Sequence, residues 1–222
     1  MQKATFITLI YAAILLSAKA STLGVDVASG FQAQVSGPMT IGWEFSVSAS
    51  NGIVVDGLAF WDAYGPGFFL EQTFPVGLWE ASTGTLLRDT IITSDSTLEP
   101  SLAVDGDWRV NSVSPLLLAP GLYRIGAFLP FEGANPVIIT EATLSTAPGV
   151  SVVRYLRHVS PTLAMPDIAP ALPDRTFFGP TFTFTLVPEP DALLLLIMGF
   201  AVFGVAYAVR RAIARRTSGL PT

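Results

Sequence analysis

The chain contains no cysteine, which excludes a disulfide scaffold, a thiolate metal centre and a cysteine nucleophile. Lysine is missing from residues 21–187. That stretch carries Arg88, Arg109, Arg124, Arg154, Arg157 and Arg175 against 15 acidic residues, a balance of −9. A body so acidic repels phosphate, so nucleic acid is not an expected partner. His158 is the single histidine, which rules out a metal centre built on several imidazoles. A Ser-His-Asp hydrolase would have to use it, yet no G-x-S-x-G elbow accompanies it, and it reads as a surface histidine at a strand end. Charged residues make up only 13% of the chain, where a soluble protein has about 25%. Apolar material is therefore expected in membrane-directed segments, and one is visible at each end.

Met1-Gln2-Lys3 gives a short positive start, the apolar run Ala4–Ala18 follows, and Ala18-Lys19-Ala20 puts small residues at −3 and −1 of a cut before Ser21. Those three parts in that order predict a secretory signal peptide over residues 1–20, the alternative being an uncleaved anchor helix. At the far end, Ala192–Val209 is an uncharged run of 18 residues. As a helix it would be about 27 Å long, close to the hydrocarbon thickness of a bilayer, which predicts one transmembrane helix. Arg210, Arg211, Arg215 and Arg216 follow immediately and favour the cytoplasmic side. The body, residues 21–187, is thus expected outside the cytoplasm.

Between body and span stands Pro188-Glu189-Pro190, where two prolines bar a helix and favour extended backbone. P-E-P alone is usually a linker. The order of P-E-P, apolar span and arginine cluster is far more specific, and over residues 187–216 it resembles the PEP-CTERM sorting domain of Gram-negative bacteria. The resemblance implies recognition by an exosortase-type membrane protease or transpeptidase, cleavage near Pro188–Pro190, and delivery to the cell surface or extracellular matrix.

The body reads as β. Ile41–Val47 alternates apolar with small or polar residues, the period of a half-buried strand. Ile53–Trp61 is a second strand with a bulge or bend at Asp56-Gly57. Val76–Glu80 and Thr85–Ile92 flank Ala81-Ser82-Thr83-Gly84 and predict a hairpin. Further strands are expected at Trp108–Val113, Leu122–Leu129, Val137–Thr140, Val150–His158 and Thr181–Leu186, with a turn at Ala119-Pro120-Gly121 and an irregular loop over Pro161–Pro173. No segment has a helical period of useful length. About nine short strands predict an all-β, jelly-roll-like sandwich. The expected core includes Trp43, Phe45, Leu58, Phe60, Leu78, Trp79, Leu86, Trp108, Tyr123, Ile125 and Ala127.

A second resemblance rests on G-W-x-F at Gly42, L-x-F-x-D at Leu58, V-G-L-W-E at Val76, G-x-L-L at Gly84 and L-x-P-G-x-Y-x-I-G at Leu118. Over residues 38–130 the chain is similar to DUF4082-like β-sandwich domains of bacterial surface proteins, some of which sit beside carbohydrate-active modules.

Candidate chemistry is sparse. Asp105-Gly106-Asp107 offers oxygens to calcium, though without EF-hand spacing, and an acidic turn accounts for the same residues. Glu44, Asp62, Glu71, Glu80, Glu132 and Glu141 are available for a glycosidase pair, as in any acidic domain. Tyr64, Phe68 and Phe69 lie in a glycine-rich loop that could stack on sugar rings or cap the core. No cofactor and no resident metal are expected. The leading expectation is a non-enzymatic surface or matrix protein, structural or adhesive in exopolysaccharide, ahead of a carbohydrate-binding module and, further behind, a glycoside hydrolase.

Overall fold

A computed structural model describes residues 21–34, 37–63, 73–102, 106–130, 136–169 and 177–188. These are all-β. The strands are β1 (Thr22–Leu23), β2 (Val25–Gln34), β3 (Met39–Val47), β4 (Ile53–Asp62), β5 (Phe74–Glu80), β6 (Leu86–Ile92) and β7 (Thr97–Pro100), then β8 (Asp107–Leu118), β9 (Gly121–Leu129), β10 (Pro136–Thr146), β11 (Val150–Val159), β12 (Phe177–Phe178) and β13 (Pro180–Leu186). They form a first sheet in the order β1-β13-β4-β8-β7, a second in the order β11-β3-β9-β5-β6, and a three-stranded sheet, β12-β10-β2. Every ladder between these strands is antiparallel.

All nine strands expected from the sequence are present, and β8 and β10 extend well beyond the expected limits. The bulge falls at Asp56, the residue skipped where the β13–β4 register steps from Thr183↔Gly57 to Phe184↔Val55. The β5–β6 hairpin closes through Gly84, whose φ of +71° is the left-handed conformation that only glycine adopts without strain. Replacing Gly84 with alanine is expected to cost about 1 kcal/mol, read as a lower urea midpoint with an unchanged slope.

Large side chains from the two five-stranded sheets interleave between them. Phe60 of β4 stacks on Phe74 of β5 with centroids 4.6 Å apart, and Phe45 of β3 stacks on Phe182 of β13 at 4.7 Å. Trp43 is fully buried against Phe178 and Phe182, and its indole N–H donates to the Pro180 carbonyl across the layer at 2.7 Å. Trp61 and Trp108 form a second buried layer beside β2, where Trp108 Nε1 donates to Asp26 Oδ1 at 2.8 Å.

The expected core needs one correction. Leu86 is 46% exposed, because β6 bulges opposite β5: the register steps from Leu78↔Arg88 to Trp79↔Leu86. The skipped Leu87 packs on the core in its place. One extra residue in a strand exchanges the faces of all that follow. Tyr123 is only partly buried, and Trp79, though buried, lies outside the central cluster.

Trp79 belongs instead to the outer face of the second sheet. Gly42, Gly126 and Gly77 stand side by side there on β3, β9 and β5. A Cβ on Gly77 would lie 2.4 Å from the Trp79 ring, and one on Gly126 would lie 3.0 Å from Pro166. The row of missing side chains is the groove that the indole and the proline fill. Pro166 comes from the loop after β11, expected to be irregular, which crosses this face as a strap. Ala164 N–H donates to Thr40 Oγ1 at 3.1 Å, and Arg157 and Ile168 exchange backbone hydrogen bonds at 2.8 and 2.9 Å. Gly126→Ala is expected to push the strap outward and cost about 1–3 kcal/mol by overpacking, measured by chemical denaturation.

Candidate functional site

Polar chemistry gathers at three places among the described residues. The most tightly built lies on the outer face of the second sheet. Glu44 on β3, Arg124 on β9 and Arg154 on β11 are neighbours across the strands, with Glu44 opposite both arginines. Arg124 Nε donates to Glu44 Oε2 at 2.8 Å, and Arg154 donates through Nε to Oε1 and through Nη2 to Oε2, both at 3.0 Å. Arg124 Nη1 continues to the Pro166 carbonyl of the strap at 3.3 Å. The Glu44 side chain is only 4% exposed. Its burial alone would raise the carboxyl pKa, but the hydrogen bonds and charges of Arg154 and Arg124 outweigh that and hold it below the ordinary value. Glu44 is therefore an ionised strut between three strands and the strap. A carboxylate so held accepts hydrogen bonds and is a poor proton donor.

A cleft of about 540 Å³ adjoins this cluster, bordered by the hairpin loop at Ala81-Ser82 and the turn at Ala119-Pro120. Glu80 and Tyr123 reach it from adjacent strands. They do not share a face with Glu44. Trp43, Ile125 and Leu78 point inward in one register row, so Glu44, one residue on from Trp43, points outward, while Glu80, two residues on from Leu78, points inward. The two carboxylates leave their strands on opposite faces, and both border this cleft. Glu44, with both oxygens bound to arginines, is not free to serve as the acid of a glycosidase pair. Tyr123 has its phenol pKa raised by burial and then by the Glu80 charge, and burial raises that of Tyr155 as well. Both are stable as neutral phenols in the fold, so these groups predict that stability falls as pH rises above about 10, the unfolded value. Urea midpoints measured between pH 9 and 11 check this.

The second cluster is the buried pair of Asp62 and Arg109, 2.8 Å apart with side chains 1% and 5% exposed. Arg109 also donates to the Ser94 carbonyl and, at 3.3 Å, to that of Ser96, and so fastens the link between β6 and β7 to the sheet. Asp62 is thus engaged in structure. The third place is a cleft of about 410 Å³ that touches every strand of the first sheet and carries Asp56 and Glu99.

His158 lies near the end of β11, as expected for a strand-end histidine, and its Nδ1 is 2.8 Å from Asp167 Oδ1 of the strap. No hydroxyl among the described residues is hydrogen-bonded to Nε2, so the serine of a triad is missing from this arrangement. Asp107 begins β8 opposite Asp62, and Gly106 packs its turn on the Trp61 ring. Asp105 lies outside the described residues, and among those described no group of three acidic or histidine side chains could hold a metal.

Several expected site residues also fall outside the described residues. These are the loop residues Tyr64, Phe68 and Phe69; Glu71, Glu132 and the side chain of Glu141; Ala18 and Ala20 of the leader; Glu189 and Pro190; the span over 192–209; and Arg210, Arg211, Arg215 and Arg216. Ser21 and Pro188 are described and mark the two limits of the β body. Among the described residues no helix is long and apolar enough to cross a membrane. The Glu44 cluster was beyond sequence reasoning as a unit: Arg154 lies 110 residues from its partner, and only the strand register brings them together. No family model matches the chain, and neither a curated protein nor a solved structure is significantly similar to it.

Proposed function

We propose that this chain is an exported surface or extracellular-matrix protein, sorted by an exosortase-type membrane enzyme, whose body serves a structural or adhesive role in exopolysaccharide without catalysing a reaction. The observation that carries the reading is the order of Pro188-Glu189-Pro190, an uncharged run of 18 residues and four arginines, in a chain whose first 20 residues have the layout of a leader. The boundary of the folded body supports it. Strand β13 ends at Leu186 and the compact β unit at Val187, so the motif begins where the body stops. A protease cutting near Pro188–Pro190 would release the domain whole.

The body is read as a jelly roll. Let β1, β3, β4, β5, β6, β8, β9 and β13 be strands one to eight. The two sheets then run 1-8-3-6 and 2-7-4-5, the interleaving of a jelly roll, with β2, β7, β10, β11 and β12 as additions. The non-catalytic reading is supported by the carboxylates: Glu44 and Asp62 are bound to arginines, and Glu80 leaves its strand on the face opposite to that of Glu44.

Mass spectrometry of the intact protein from cells and medium tests the proposal. Loss of everything beyond the Pro188–Pro190 region is expected in the mature form. Replacing Pro188, Glu189 and Pro190 together with alanine should abolish that form and leave the chain with the membranes. A carboxyl terminus that retains Arg216 in every fraction would identify a permanent anchor and overturn the sorting reading.

A further inference from the structure

The cleft on the first sheet lies where export would create a new charge. It is lined by Ser21 and Leu23 beside β1, Thr183 of β13, Asp56 of β4, Val110, Ser112 and Val113 of β8, and Thr97 and Glu99 of β7. Among the described residues its charged groups are Asp56 and Glu99, one from β4 and one from β7; the other described contributors are hydroxyls and aliphatic side chains, with no cation among them. Asp56 stands on the β4 bulge and accepts hydrogen bonds at one oxygen, Oδ1, from Ser21 Oγ at 2.8 Å and Thr183 Oγ1 at 2.7 Å. Ser21 is held in place because the next two residues pair with β13, Thr22 with Phe184 and Leu23 with Thr183.

We infer that this cleft is the receptor for the chain's own mature amino terminus. The inference rests on the export reading, in which the leader is cut before Ser21. That hydrolysis turns the Ser21 amide nitrogen into a primary amine, which is protonated at neutral pH. A serine amine lies about 3–4 Å from its own hydroxyl, so the new ammonium is within about 7 Å of the Asp56 carboxylate and adjusts onto it by rotation of one terminal residue. An opposite charge at such range favours the protonated amine. The described residues of the cleft supply two negative charges and no competing cation, and cleavage supplies the missing positive one. An uncleaved chain has a neutral amide there and cannot form the pair. Removal of the leader therefore does more than release the protein: it completes the attachment of β1 to the sheet.

The composition makes the test unusually clean. Lys3 and Lys19 are the only lysines, so a chain that begins at Ser21 has its α-amine as its sole primary amine. The protein is purified after export from expressing cells, its first residue is read by amino-terminal sequencing, and the rate of amine acetylation is followed from pH 6 to 10. The expected result is an apparent amine pKa raised above the ordinary value of about 7.7–8.0, with acetylation near pH 7.5 about 5–10-fold slower than in Asp56→Asn. Glu99→Gln, on an exposed strand and free of the Ser21 hydrogen bond, is expected to give a smaller acceleration in a folded protein. An amine that titrates normally and reacts equally fast in wild type, Asp56→Asn and Glu99→Gln overturns the inference while leaving the export reading intact. A first residue other than Ser21 would overturn the inference alone, and a chain that keeps residues 1–20 in every fraction would overturn the export reading as well.

Discussion

Glu44→Ala is expected to remove about 3–5 kcal/mol of stability, because it leaves the guanidinium of Arg124, 12% exposed, without its carboxylate. A domain of this size has about 5–15 kcal/mol in total, so the variant should be partly unfolded at 37 °C. Urea unfolding followed by fluorescence of the four tryptophans measures the loss. The wild type should also weaken in acid. The folded pKa of Glu44 is depressed, so its contribution is complete above the unfolded value of about 4.3 and disappears as pH falls through the folded value. Glu44→Gln keeps the shape and loses the charge. Its stability should be lower at neutral pH and depend less on pH below about 4. A Glu44→Gln protein as stable as wild type at pH 7 would mean that the ion cluster contributes nothing net.

Trp43→Ala is expected to cost at least as much, about 3–5 kcal/mol from the cavity alone. The indole touches Phe45, Phe178 and Phe182, and its N–H satisfies the buried Pro180 carbonyl. Its removal also orphans that acceptor, which adds about 1–3 kcal/mol. Trp43→Phe separates the two effects, since it retains most of the packing and loses the hydrogen bond. A Trp43→Ala midpoint within error of wild type would contradict the reading of this layer as the centre of the core.

The strands legible in the sequence were those whose side chains alternate against one packed face. In β3, Ile41, Trp43 and Phe45 announce the inner face even though every residue of the strand but Ser46 is buried. What alternation does not register is a strand held mainly by its backbone. In β7 all four residues are exposed, β1 and β12 have two residues each, and β2 dilutes its Val25 and Val27 with Ser29, Gly30 and Gln32. Leu86 was misplaced for a related reason: a bulge leaves the hydrophobic text unchanged while exchanging its faces. The candidate site was less legible still. Glu44 looked like one of six loose carboxylates, and nothing near it in sequence indicates two arginines and a strap. The proposed sorting motif is the opposite case. Its signal is wholly local, so it can be read without any fold.

The pairing of β1 with β13 also fixes where the body's two ends emerge. With Thr22 beside Phe184, the first residue of the domain and its last strand leave the sheet on one margin, a few ångströms apart. Chain segments attached before Ser21 and after Val187 therefore leave the β body at one margin of this sheet. In mechanical terms the β body is loaded at a single corner by any force applied through its ends. A pull on the chain after Val187 enters through β13, which is clamped between β1 and β4, so strain is met first by the ladder that holds the two ends together.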